Sequence, residues 1–183
     1  QLILALQTVV SRRIDPQEPA VLTIGAIHAG DAFNVIPDEA RIQGTIRYFD
    51  PSQATILESE VRRIAAGIGV ASGTDIEVDW MPYTIPTVND PQMASLVAEA
   101  AESVDGVREV LTDYRVMAGE DFGEILRLIP GCYALVGSGG ADPSQVAPHH
   151  SPRFQIDEAV LGITSALHRA VVNRVADGGG FAP

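Results

Sequence analysis

Cysteine is nearly absent from this chain of 183 residues: Cys132 stands alone, so no intrachain disulfide can form, and the composition suits a reducing, cytoplasmic compartment. Positive charge is scarce as well. Twelve Lys and Arg face 24 Asp and Glu, a formal charge of −12, which repels a phosphate backbone or an anionic bilayer over most of the surface. Nucleic acid and membrane partners are therefore not expected. No apolar run approaches the ~18–20 residues that cross a bilayer. The opening QLILALQTVV has no basic residues before it and no small-residue cleavage site after it, so it reads as a helix and not as a signal peptide. Neither an initiator methionine nor a capping residue precedes that helix, and the start of the protein is expected to be missing. Internal repeats are also lacking.

What is present alternates between helical and extended periodicity. Leu2, Leu6 and Val9 or Val10 recur at helical spacing up to Arg12-Arg13-Ile14-Asp15-Pro16, where basic residues suit a helix C-terminus and proline stops it. AVLTIGAI (20–27) is β-branched. ARIQGTIRYF (40–49) alternates strictly, with Arg41, Gln43, Thr45 and Arg47 on one face and Ile42, Gly44, Ile46 and Tyr48 on the other. Asp50-Pro51-Ser52-Gln53 supplies an N-cap, a first-turn proline and a box-like Gln ahead of Leu57, Val61, Ile64 and Ile68. TDIEVDWMPYTI (74–85) reads as a further strand. The fold class is α/β, and the first half has the element order of a ferredoxin-like βαββαβ sandwich without its first strand.

Pro82, Pro86, Asn89 and Pro91 mark a boundary within 83–91. Beyond it, 93–104 reads as a helix, 108–116 as a strand, 119–129 as a short helix and 132–137 as a buried strand. A Gly/Ser/Pro loop (138–153) follows, and Asp157 caps a last helix carrying Val160, Thr164, Leu167, Val171 and Val175 on one stripe. The tail DGGGFAP is expected to fray. This half alternates strand and helix, like part of an α/β sheet.

Two adjacent histidines, His149 and His150, sit in that last loop. Imidazole is the commonest metal ligand, and a loop after a buried strand is a usual place for a site. Adjacent side chains rarely aim at one point, so at most one is a ligand, and two solvated imidazoles are an equal alternative. His168 borders the buried stripe of the last helix and reads as structural. His28 follows the Leu22, Ile24, Ala26 face into a turn and reads as a strand-end histidine. Cys132 lies in an apolar stretch with no helix N-terminus or basic neighbour to lower its pKa, which makes it a core residue and not a nucleophile. Glu120 and Asp121 have the chemistry of an acid/base pair, but acids in a first helical turn are also what the helix dipole favours. Asn34 in a turn and Arg47 on a polar strand face are, by themselves, ordinary.

Taken together, AFNVIPDEARIQGTIR (32–47), MAGEDFGEI (117–125), PGCYALVGS (130–138) and HHSPRFQIDEA (149–159) occur in the order seen in the M20 metallopeptidases. SRRIDPQEPAVLTIGAI (11–27) resembles the same family, and the likeness runs over essentially the whole chain. It is strongest to the amidohydrolase branch of N-acyl-amino-acid, hippurate and indoleacetyl-amino-acid hydrolases. The resemblance implies that residues 1–82 are most of a lid, or dimerisation, domain and 83–183 the C-terminal part of a metal-dependent catalytic domain. It aligns His150, the histidine before Ser-Pro, with the family's last metal ligand. It also makes Asn34 and Arg47 substrate-binding residues of the lid and gives Glu120 a supporting role in the pocket, although Gly119 stands where the family usually has serine.

By the same resemblance the reaction is hydrolysis of the amide bond of an N-acyl amino acid or short peptide. Two divalent ions, zinc or manganese, activate the water, and a homodimer forms through the lid. The catalytic glutamate and the remaining metal ligands of the family have no counterpart in this sequence, so no catalytic residue is assigned and the isolated chain is expected to be inactive. The alternative is a non-catalytic dimerisation or binding module derived from such an enzyme.

Overall fold

A computed structural model describes residues 1–140, 142, 144 and 146–178. The element order is α1 (Leu2–Arg13), β1 (Ala20–Ala29), β2 (Ala40–Tyr48), α2 (Gln53–Ser72), α3 (Pro91–Glu102), α4 (Phe122–Leu126) and α5 (Ala159–Asp177). The chain divides into two compact units, one of residues 1–86 with 116–121 and one of 87–115 with 122–183.

In the first unit β1 and β2 form an antiparallel pair in which Leu22 faces Ile46 and Ile24 faces Gly44. Directly opposed residues share a face. Leu22, Ile24, Ile46 and Tyr48 pack against Leu6 and Val9 of α1 and Leu57 and Ile64 of α2. Leu57 and Val9 are fully buried, each worth roughly 1.5–3 kcal/mol relative to exposure. The helical stripe expected from Leu57, Val61, Ile64 and Ile68 is the stripe that packs. α2 itself starts at Gln53, two residues later than the proline pattern suggests, because the Asp50 carboxylate accepts from the Ser52 amide and holds 50–52 as a turn.

Glu60, 6% exposed, lies between Arg13 at the end of α1 and Arg63 one turn on, at 2.7 and 2.6 Å. Hydrogen bonds from Arg63 and then Arg13 hold its carboxyl down at about 2. α2 ends on Gly73 in the left-handed region (φ 67°), where glycine carries no Cβ penalty, and its N–H reaches the Gly69 carbonyl. Residues 74–80 then return along the helix. Arg62 donates to the Val78 carbonyl at 2.9 Å, and Trp80 packs on the core.

In the second unit Asp90 caps α3, accepting from the amides of Gln92 and Met93, with Pro91 at the first helical position. Ala100, Ala101 and Val104 pack on Leu167 of α5, with Ile163 and Val171 at the edge. Asn89 makes a reciprocal pair of hydrogen bonds with the Tyr133 main chain. The final helix has Glu158 at its N-cap position with no side-chain capping bond, and the Asp157 expected as the cap stands one residue earlier, its carboxylate accepting from the Ala159 amide.

The chain is thus a mixed helix and strand protein with a small two-stranded sheet. Among the described residues the segments 74–85, 108–116 and 132–137 form no ladder, against the strands expected there. A segment of suitable composition can be extended, but a strand also needs a neighbour for its N–H and C=O groups. Asp121 precedes α4, which is confined to Phe122–Leu126, so Glu120 and Asp121 stand before the helix and not in its first turn. Most of the tail expected to fray lies outside the described residues.

Candidate functional site

The open face of the β1–β2 sheet carries the expected row Arg41, Gln43, Thr45 and Arg47, all exposed. Its cross-strand partners are Val21 opposite Arg47, Thr23 opposite Thr45, Ala26 opposite Gln43 and His28 opposite Arg41. The register slips by one between Ile24 and Ala26, the mark of a β-bulge at Gly25. Because side chains alternate with a period of two, one extra residue moves everything after it to the other face. His28 therefore shares the arginine face, contrary to the reading that left it on the Leu22–Ile24–Ala26 side. Gly25 in the interior of the extended stretch 20–29 was the available signal.

Arg47 extends one guanidinium nitrogen, Nη1, to the main-chain carbonyl of Met117. Within the ladder its neighbours on the open face are Val21, Thr23 and Thr45, none of them acidic. Asn34 is exposed in the loop from Gly30 to Glu39, which turns at Gly30 (φ 68°) and is closed by a hydrogen bond from the Val35 amide to the Ala32 carbonyl. No hydrogen bond joins Asn34 to Arg47 among the described residues. Glu120 accepts from the Asp121 amide at 2.8 Å. The hydrogen bond and then the charge of Glu120 raise the Asp121 carboxyl above its ordinary value.

The two histidines of the second unit differ. The ring of His149 lies against Phe154, with centroids 4.6 Å apart. His150 is the only non-glycine residue with positive φ (67°) among the described residues. That conformation is uncommon outside glycine, asparagine, aspartate and histidine, and it gathers at functional positions. The turn around it is closed by the Ser151 amide on the Pro148 carbonyl and the Phe154 amide on the Ser151 carbonyl. Both residues are exposed; one imidazole rests against a phenyl ring, and the other is carried on a turn with positive φ. The main-chain geometry and Phe154's use of His149 were not visible in the spacing.

Among the described residues no three His, Cys, Asp or Glu side chains come together as a metal site. His150 offers one imidazole, and the described residues do not by themselves hold an ion. Cys132 is partly buried and burial pushes its thiol up, which makes it inert. His168 is tied to the Thr164 carbonyl one turn back on α5. No helix of the described residues is long and apolar enough to cross a membrane.

Comparison with known proteins bears on both units. Residues 6–173 match the family model described as Peptidase family M20/M25/M40. The chain is 37% identical over 157 residues to N-acetyldiaminopimelate deacetylase of Streptococcus suis, covering 85% of this chain and 40% of the relative. It is 36% identical over 161 residues to N-acetyl-L-cysteine deacetylase of Bacillus subtilis, covering 88% and 37%. Among solved structures it superposes on a Bacillus subtilis protein described as a dinuclear metal-binding peptidase of the M20 family. There the TM-score is 0.73 at 29% identity, covering 97% of this chain and 46% of that one. The chain spans less than half the length of each of these relatives.

Proposed function

Since the chain belongs to peptidase family M20/M25/M40, we propose that it is part of an enzyme that hydrolyses the amide bond of N-acyl amino acids or short peptides with the help of bound divalent metal, two zinc or manganese ions. Residues 1–82 act as most of its lid and 83–183 as the C-terminal part of its catalytic domain. The two deacetylases support the substrate class, because the names of both describe an N-acetyl amino acid. The dinuclear peptidase supports the metal. The observation in this chain that carries the reading is Arg47, a guanidinium on an open sheet face whose ladder neighbours are uncharged. A substrate's free carboxylate is the acceptor that such a fork matches.

In this reading Arg47 binds the carboxylate, Asn34 assists from its loop, and His150 donates one imidazole to the metal centre. Glu120 lends support at the pocket through its hydrogen bond to the Asp121 amide. Water activation and proton transfer belong to the full-length enzyme, which works in the cytoplasm as a homodimer paired through the lid. A free strand edge of the lid sheet suits such pairing. Light scattering that finds only monomer at every accessible concentration refutes the dimer.

A charged hydrogen bond is typically worth about 1.5–3 kcal/mol, so Arg47→Ala in the full-length enzyme lowers kcat/KM for an N-acyl amino acid by about 10–100-fold. Arg47→Lys recovers only part, because the fork is lost. When the carboxylate is converted to an amide, the unmodified enzyme discriminates and the Ala variant does not. An equal preference for the free acid in both enzymes refutes the assignment. The absence of a three-ligand cluster among the described residues favours a second reading, a non-catalytic dimerisation or binding module. Metal uptake by the full-length protein that is indifferent to His150→Ala supports that reading over the enzyme.

A further inference from the structure

Residues 116–121 are flanked on both sides by chain of the second unit, yet they cluster with the first. Residues 116–120 have no regular secondary structure. Arg47 reaches them across 70 positions of sequence to donate to the Met117 carbonyl. A guanidinium is a rigid plane of five N–H donors. A single acceptor at Nη1 therefore leaves most of the fork unused by that bond and restricts the orientation of the plane. The chemistry of the acceptor matters as well. A carboxylate in that place would form an ion pair that an incoming anion must break. A main-chain carbonyl orients the group and leaves its positive charge for the ligand.

We propose that the Met117 carbonyl is a positioning acceptor for Arg47, and that the same bond straps 116–121 onto the open face of the sheet, making Arg47 both the reader of the substrate carboxylate and the anchor of the strap. The inference rests on the reading of Arg47 given above and adds to it the main-chain group through which the guanidinium is aimed.

Trypsin provides the test, because Arg115 is exposed and cleavage after it requires the first strap residues to leave the sheet. Native-state proteolysis of this kind follows the population of the open form. In the full-length enzyme without substrate, Arg47→Ala speeds cleavage after Arg115 by about 10–100-fold, the equivalent of one charged hydrogen bond. Arg47→Lys, which keeps a donor, speeds it less. Unchanged cleavage in Arg47→Ala overturns the strap.

A second variant leaves every side chain of the strap but one atom of main chain in place. Replacing Ala118 by its α-hydroxy analogue turns the Met117 carbonyl into an ester carbonyl, a weaker acceptor. The expected result is a lower kcat/KM for the free-acid substrate and an unchanged value for its amide-capped form. If the ester variant keeps full activity on the free acid, positioning by Met117 is wrong. If Arg47→Ala loosens the strap but retains the preference for the free acid, the carboxylate reading of Arg47 has failed, and the positioning role falls with it. Lost preference with unchanged cleavage is the opposite case, in which the reading stands and the strap does not.

Discussion

Gly67 and Gly69 lie two residues apart in α2, and the same substitution at each has a different expected effect. Replacing a helical glycine by alanine lowers the backbone entropy lost on folding, a gain of about 1 kcal/mol. At Gly67 an added Cβ meets nothing within 4 Å, so Gly67→Ala stabilises by about that amount. At Gly69 it would stand 2.8 Å from the Thr74 carbonyl oxygen and 3.7 Å from Cγ1 of Ile76. The close atom is main chain, so no rotamer change relieves the contact. The returning segment has to move, which loosens the 3.1 Å bond from the Thr74 amide to the Gly69 carbonyl.

Overpacking of this kind costs about 1–3 kcal/mol. The helix-propensity gain is common to both variants and cancels in the comparison, leaving Gly69→Ala less stable than Gly67→Ala by about 1–3 kcal/mol. In a unit of this size each kcal/mol moves the melting temperature by about 4–8 °C. Urea unfolding followed by circular dichroism, with thermal melts alongside, reads the difference. If Gly69→Ala proves as stable as Gly67→Ala, the return of residues 74–76 against α2 is not as described.

Two further outcomes are expected. Glu60 has its carboxyl held at about 2 against an ordinary 4.5, so it contributes stability above 4.5 that is lost as pH falls through 2. Glu60→Gln therefore unfolds at lower urea than the parent at pH 7, with the gap closing as pH falls from 4.5 to 2, and a gap independent of pH refutes the ion triad. In the full-length enzyme His150→Ala weakens metal binding by more than the roughly 10–100-fold typical of losing an outer-shell partner, while His149→Ala retains most of it. Equal loss at both positions, measured by metal titration, contradicts the assignment of roles.

How far the sequence could be read depended on whether a feature follows from one segment or from two. The packed stripe of α2 and the exposed row Arg41, Gln43, Thr45 and Arg47 follow from the period of a single segment, and both stand in the structure. Residues 74–85 alternate just as well but form no strand, since pairing is a property of a neighbour and not of the segment. The helix start shifted because Asp50 and Ser52 satisfied each other locally before the helix began. Of the candidate site, Asn34, Arg47, Glu120 and His150 are positions that the family resemblance proposes, and residue chemistry alone does not single them out. The contacts of Arg47 with a main-chain carbonyl and of His149 with a phenyl ring leave no trace in residue spacing.

The extra residue at Gly25 divides β1 into two stretches of opposite parity. A comparison that matches relatives position by position assumes that the same column means the same side of the sheet. That holds only among relatives that keep the inserted residue. One that lacks it and absorbs the change as a gap elsewhere would present, in the column of His28, a side chain aimed at the helices. Identity at that column then says nothing about shared orientation. Whether a relative carries the bulge has to be settled before any comparison of the residues that follow it.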